Sequence, residues 1–150
     1  MRYLRTLLTG LTISLLLSAQ SAATGPQVMV YKTSTCGCCK IWVEHLRKNG
    51  FAVTTTDVPD VAEYRQKFGV PDGMQSCHTA VVKGYTIEGH VPAAEIHRLL
   101  KSGSKAKGLA VPGMPMGSPG MEVGGRVDPY AVMLFDSQGR TSVYQKYPRD

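Results

Sequence analysis

The run Cys36-Gly37-Cys38-Cys39 constrains this chain more than any other feature. Gln27-Val28-Met29-Val30-Tyr31 precedes it, a short apolar stretch with strand character. From Lys40 the pattern turns helical: Ile41, Trp42 and Leu46 share one face, with Glu44, Arg47 and Lys48 on the other. A Cys-x-x-Cys spacing between a strand and a helix start puts Cys36 and Cys39 where helix amides and the macrodipole stabilise thiolate. Thiolate is both the better nucleophile and the better metal ligand.

The remaining pattern extends that frame. Asn49-Gly50 stops the helix, residues 51–56 form a second strand, and Asp60 caps a helix that runs to about Phe68 and ends at Gly69. Residues 80–82 and 85–88 form a hairpin around Lys83-Gly84. Pro92 opens a last helix with Ile96, Leu99 and Leu100 as its core face. The resulting order β-α-β-α-β-β-α is that of a thioredoxin-like α/β fold, a mixed sheet flanked by helices. Residues 109–125 are rich in Gly, Pro and Met, which argues against regular structure there. Residues 130–135 and 141–147 close the chain as a C-terminal β-hairpin.

Residues 1–23 read as an export signal. Arg2 and Arg5 form its basic start, residues 7–17 an apolar stretch too short to span a bilayer well, and Ser21-Ala22-Ala23 a small-residue cleavage site. A retained anchor is the alternative. The mature domain is then residues 24–150, and its formal charge falls from +6 to +4 with the loss of Arg2 and Arg5. Scattered Lys and Arg without an aromatic platform point away from nucleic acid. Once the signal is removed, no stable membrane insertion is expected.

Export matters for the thiols, because an oxidising compartment favours disulfides. Three readings of the four cysteines stay open at this level. They can form structural bridges, a catalytic dithiol acting on a protein partner, or a site for soft metal ions. Cys38 is an awkward third thiol for a dithiol catalyst, and clustered thiolates repel unless cations neutralise them. Cys77-His78-Thr79 enters the third strand of the fold where redox enzymes commonly carry a cis-proline, so a fourth sulfur faces the first three. A shared cluster requires all four sulfurs within about 8 Å, given metal–sulfur bonds near 2.3 Å.

Other donors follow. His90 is read either as a ligand or as a capping or surface histidine. His78 neighbours Cys77, but successive residues of an extended segment point to opposite sides. His45 lies about 10 Å along the helix from Cys38 at about 1.5 Å per residue, too far to share an ion with it. Met114, Met116 and Met121 bring soft thioethers that cannot be lost to disulfides, or else pack their loop. No carboxylates cluster near these sulfurs to serve oxygen-seeking metals.

At these residues the chain resembles the CopG-like periplasmic copper-resistance family, long described as a metal-binding domain of unknown function. The likeness rests on Cys36-Gly37-Cys38-Cys39 with Trp42 and His45-Leu46, and on Ser76-Cys77-His78-Thr79-Ala80-Val81-Val82. It continues in Glu88-Gly89-His90-Val91-Pro92-Ala93, in the run from Gly108 to Pro115, and in Gly117-Ser118-Pro119-Gly120-Met121-Glu122. The resemblance implies a thioredoxin-like fold, copper handling in the periplasm beside other copper-handling proteins, a cysteine-bridged multinuclear Cu(I) cluster, and conversion between Cu(I) and Cu(II). It further implies Cys36, Cys38, Cys39 and Cys77 as thiolate ligands, with His90, Met114 and Met121 completing the shell.

Overall fold

The structure, a computed structural model, describes residues 24–149; the expected signal at residues 1–23 lies outside the described residues. The described residues form one mixed seven-stranded sheet with three helices. Its elements in order are β1 (Gln27–Lys32), α1 (Gly37–Lys48), β2 (Ala52–Asp57), α2 (Ala62–Phe68), β3 (His78–Val82), β4 (Tyr85–Glu88), α3 (Ala93–Ser102), β5 (Gly108–Ala110), β6 (Tyr130–Phe135) and β7 (Thr141–Tyr147). The strand order is β2-β1-β3-β4-β5-β6-β7. β2 runs parallel to β1, and β3 and β4 add antiparallel. The elements up to α3 thus keep the order read from the sequence, compatible with a thioredoxin-like core.

Two features of the sheet differ from the sequence reading. Leu109 and Ala110 are not irregular: they lie in β5, which pairs parallel to β4 and carries the C-terminal hairpin onto the sheet. Both are fully buried, and pairing partners on either side outweigh the weak local signal of a three-residue strand. Gly108 is needed there, because a Cβ would lie 1.9 Å from the Thr86 carbonyl oxygen. The second difference is in α1, where Ile41 is 57% exposed while Trp42, Val43 and Leu46 are buried. The helix begins at Gly37, and its core-facing stripe is Cys39, Trp42, Val43 and Leu46 at i, i+3, i+4, i+7 spacing, which leaves Ile41 on the flank toward solvent.

The core joins Val28 and Val30 of β1, Ala80 and Val82 of β3 and Ile87 of β4 to Trp42 and Leu46 of α1 and Ile96 and Leu99 of α3. Full burial of side chains of this size contributes about 1.5–3 kcal/mol each. Strand alternation turns Tyr31 the other way, where it stacks on Tyr64 of α2 at 4.2 Å. α1 and α3 are cross-tied: His45 Nε2 accepts from the Ala93 amide at 3.0 Å, and Trp42 Nε1 donates to Val91 O at 2.9 Å. His45 is therefore a packed histidine. His97 stacks on Phe51 and bonds to Asn49 O.

Local rules account for the ends of these elements. Asp60 Oδ1 accepts from the Ala62 amide at 2.9 Å just ahead of α2, but Val61 takes the N-cap position without a side-chain cap bond; Gly69 ends the helix in the left-handed region. Lys83 and Gly84 both have positive φ, the two-residue hairpin geometry that connects β3 and β4.

Candidate metal centre

Four sulfurs meet at the N-terminus of α1. Cys36 is the N-cap residue, and its Sγ accepts from the Cys39 amide at 3.3 Å. A sulfur here takes the place of the usual oxygen cap, which is why the helix starts inside the motif. Cys38 Sγ lies 3.5 Å from Cys36 Sγ, and Cys39 Sγ lies 3.8 Å from the Cys77 carbonyl oxygen. The Sγ atoms of Cys36, Cys38, Cys39 and Cys77 all fall within 4.8 Å of one another. That is well inside the limit a shared cluster sets. Cys36 and Cys39 are joined as a disulfide, while Cys38 and Cys77 are free and half-buried.

Cys77 sits immediately before β3, on a loop held from three directions. The Ser76 amide donates to Glu88 Oε1 at 2.8 Å, the Arg65 guanidinium donates to the Ser76 carbonyl, and the Ser76 hydroxyl donates to Gly113 O. Glu88 is fully buried, accepting from Arg65 Nε at 2.9 Å and from Thr79 Oγ1 at 2.6 Å. Burial pushes its carboxyl upward, and the bonds from Thr79, Ser76 and Arg65 work against that shift. Ser76, Thr79 and Glu88 all lie in the stretches that carry the family resemblance, but nothing local in the sequence links them to Arg65 as a brace.

His90 is fully buried, which answers the choice between ligand and surface histidine in favour of an inward-facing ring. Its Nδ1 lies 2.7 Å from Pro119 O and its Nε2 lies 2.9 Å from Cys77 Sγ. A carbonyl oxygen only accepts, so Nδ1 carries the hydrogen and the neutral ring turns its Nε2 lone pair toward the sulfur. Burial lowers this histidine, favouring the neutral form, although the Pro119 bond pulls the other way. Cys77 is pushed up to about 12 by burial and by Cys38 beside it. Its thiol therefore donates to His90 in the metal-free chain. A ring fixed through Nδ1 with a free Nε2 is the usual arrangement of a metal-ligating histidine.

His78 departs from the expectation that it would turn away from Cys77. Its Nδ1 lies 3.4 Å from Cys77 Sγ, and Cys77, His78 and His90 form a second group whose ligand atoms lie within 4.8 Å of one another. Cys77 precedes the strand, so strict alternation does not govern this pair. The ring is fully buried against Trp42, 4.3 Å between centroids, and its Nε2 has no hydrogen-bond partner. Burial, with His90 nearby, lowers it to about 3, so it stays neutral.

These donors suit a soft cation. Thiolates and neutral imidazoles converge without a carboxylate among them. The disulfide ties up two of the four sulfurs, so the full thiolate set exists only after its reduction.

A family model described as "Protein of unknown function, DUF411" matches residues 74–121. No curated protein matches the chain. Two solved structures do. One, "Copper resistance protein copG- Form 2", is 46% identical with a TM-score of 0.79, covering 83% of this chain and 99% of that one. The other, "Copper resistance protein copG- Form 1", is 46% identical with a TM-score of 0.77, covering 82% of this chain and 98% of that one. The chain belongs to the CopG copper-resistance family.

The CopG-family loop between β5 and β6 lies against the sulfur site. Gly120 packs so closely that a Cβ would stand 2.8 Å from Cys38 O, 3.0 Å from Trp42 N and 3.2 Å from His90 Nδ1. Met121 follows it, its amide donating to Ser118 O at 2.7 Å. Met114 is 53% exposed and lines a shallow cavity of about 270 Å³ together with Arg65, Gln75, Ser76, Cys77 and Gly113. Cys77 is thus reachable from the surface beneath Met114. Among the described residues, no helix is long and apolar enough to cross a membrane.

Proposed function

We propose that this chain is a periplasmic copper-binding protein of copper resistance and homeostasis. In its reduced form, Cys36, Cys38, Cys39 and Cys77 bridge several Cu(I) ions, and His90, Met114 and Met121 complete the shell. The observation that carries the reading is the convergence of four sulfurs within 4.8 Å at a helix N-terminus. One thiolate can bridge two soft cations, so a cluster neutralises charges that would otherwise repel. Similarity to two proteins named for copper resistance supports copper over other soft metals. Its partners are metal ions and other copper-handling proteins of the same compartment. The export-type residues 1–23 support the periplasm.

Interconversion of Cu(I) and Cu(II) belongs to the same proposal. Closing the Cys36–Cys39 dithiol to its disulfide releases two electrons and two protons, enough to take two Cu(II) ions to Cu(I). Reopening it consumes the same number from a reductant. The test is to reduce the mature protein anaerobically, add Cu(I), and count metal per chain. Cys77→Ser should lower the count or the affinity. An unchanged count and affinity in that variant would remove Cys77 from the site and end the cluster reading.

A second reading has one observation in its favour, the Cys36–Cys39 disulfide at the start of α1. A thiol-disulfide oxidoreductase acting on a protein partner would place it there. Efficient turnover of protein thiols by the metal-free chain would support that reading over the first.

A further inference from the structure

With Cys36 and Cys39 closed as a disulfide, the four-thiolate set no longer exists, yet the second donor group is intact. We infer that Cys77, His78 and His90 form a site for a single borderline divalent cation, sharing Cys77 and His90 with the copper cluster and available while the disulfide is closed. This deepens the metal-binding reading, but it is a property of the oxidised chain and takes a different ion.

The geometry is close to what such an ion needs. Metal–sulfur and metal–nitrogen bonds of about 2.3 and 2.0–2.1 Å at a tetrahedral angle set sulfur and nitrogen about 3.5 Å apart. Cys77 Sγ already lies 3.4 Å from His78 Nδ1. It lies 2.9 Å from His90 Nε2, so the ion must open that contact by roughly 0.6 Å. A small rotation of the Cys77 side chain supplies it. The two rings meet edge to face, with centroids 5.1 Å apart, so that neither blocks the other's approach to the sulfur.

His78 gives the independent reason to read this as a site. A fully buried imidazole whose Nε2 finds no partner is destabilising through unmet hydrogen bonding. Its Nδ1 faces the Cys77 sulfur at 3.4 Å. An apolar side chain of similar size would pack against Trp42 without that cost. The ring is nonetheless kept there with its Nδ1 facing the Cys77 sulfur, where it can bind an ion; the hydrogen then stays on Nε2, and the ion does not relieve that cost. His90 is already oriented for the same task through Pro119.

Chemistry and access agree. One thiolate with two imidazoles is a borderline set that suits Zn(II), Co(II) or Cu(II), whereas four thiolates suit Cu(I). As the ion binds, the Cys77 S–H bond breaks, the proton passes to solvent, and a metal–sulfur bond forms. Both histidines enter neutral. The cavity beneath Met114 leads to Cys77, and the fourth position is left to water.

The probe is Co(II) alone, which reports thiolate ligation by a near-ultraviolet charge-transfer band. The mature protein is used with the Cys36–Cys39 disulfide verified by mass. One Co(II) per chain with a single-thiolate band is expected, retained in Cys38→Ser and weakened at least tenfold in His78→Gln. No thiolate band in the oxidised protein, loss of binding in Cys38→Ser, or unchanged affinity in His78→Gln would each overturn the site. To separate ligation from any loss of folding in His78→Gln, Zn(II) is also added to the ¹⁵N-labelled unmutated chain. Both His78 and His90 ring nitrogens should move to metal-bound shifts; movement of His90 alone overturns the proposal. Failure here leaves the Cu(I) count of the reduced protein untouched, so the two readings fail separately.

Discussion

Gly120→Ala is the sharpest probe of how the long loop serves the site. Gly120 has φ +90, which a side chain resists by about 1–2 kcal/mol. A Cβ would also stand 2.8 Å from Cys38 O and 3.0 Å from Trp42 N, both backbone atoms that cannot rotate away. Ordinary contact begins near 3.4 Å, so the loop must withdraw from α1 by roughly 0.6 Å, an overpacking cost of about 1–3 kcal/mol. Together these lower stability by about 2–5 kcal/mol, or a melting temperature by roughly 10 °C for a domain of this size. Withdrawal carries Pro119 with it and loosens the carbonyl that fixes His90. Loss of such a partner typically weakens metal binding about 10–100-fold. Thermal unfolding followed by circular dichroism, and chelator competition for bound metal, read the two effects separately. Gly139→Ala is the control: its φ is +75, but the nearest atom to a Cβ is Pro71 Cβ at 4.0 Å, so it carries the backbone strain without the clash. If Gly120→Ala melts like Gly139→Ala and keeps full metal affinity, the loop does not hold His90 in place.

Three further outcomes follow from the packing. Glu88→Ala leaves Arg65 and the Ser76 amide without their partner and should cost about 3–5 kcal/mol in urea unfolding, as removal of one half of a buried pair does. Trp42→Phe strands the buried Val91 carbonyl and should cost about 1–3 kcal/mol, measured by circular dichroism because the chain has a single Trp. Burial works to raise the Glu95 carboxyl, but bonds from Tyr147, Arg98 and Arg149 outweigh it and hold the group below its ordinary value of 4.5. Its stabilisation is therefore complete above that value and fades as pH falls through the lower folded one. Glu95→Gln should flatten the acid limb of stability against pH while lowering the neutral plateau; an unchanged acid limb would refute the assignment.

Much of the frame was legible because its signals are local. The strand before Cys36, the helix after it, the Asn49-Gly50 stop and the Lys83-Gly84 hairpin each rest on a few adjacent residues. What was hidden is set by contacts between distant ones. β5 is three residues long and exists because β4 and β6 flank it. Ile41 is exposed because the buried stripe runs through Cys39, Trp42, Val43 and Leu46, and a cysteine as the first core residue of a helix is not among the usual apolar signals. The sulfur cluster could be anticipated from residue type, since four cysteines in a chain of this kind need an explanation. His78 could not: its burial and its unmet nitrogen are properties of the packed core, invisible to a rule about alternating directions.

The same contrast bears on why the loop of residues 111–125 is so rich in glycine and proline. Flexibility would be a poor explanation, since Ser118, Pro119 and Gly120 are buried and Gly120 lies against backbone atoms of α1. Pressing the Pro119 carbonyl onto a histidine ring requires the backbone to come in close and turn sharply, which suits proline and glycine better than a strand. Proline at 119 removes an amide that would otherwise need a partner in this buried turn, and glycine at 120 removes the side chain that would block the approach. Pro119 O then selects the tautomer of His90, and the free Nε2 is aimed at Cys77. The irregular segment is in this respect the most constrained part of the site, and its composition follows from the need to bring bare backbone to a metal ligand.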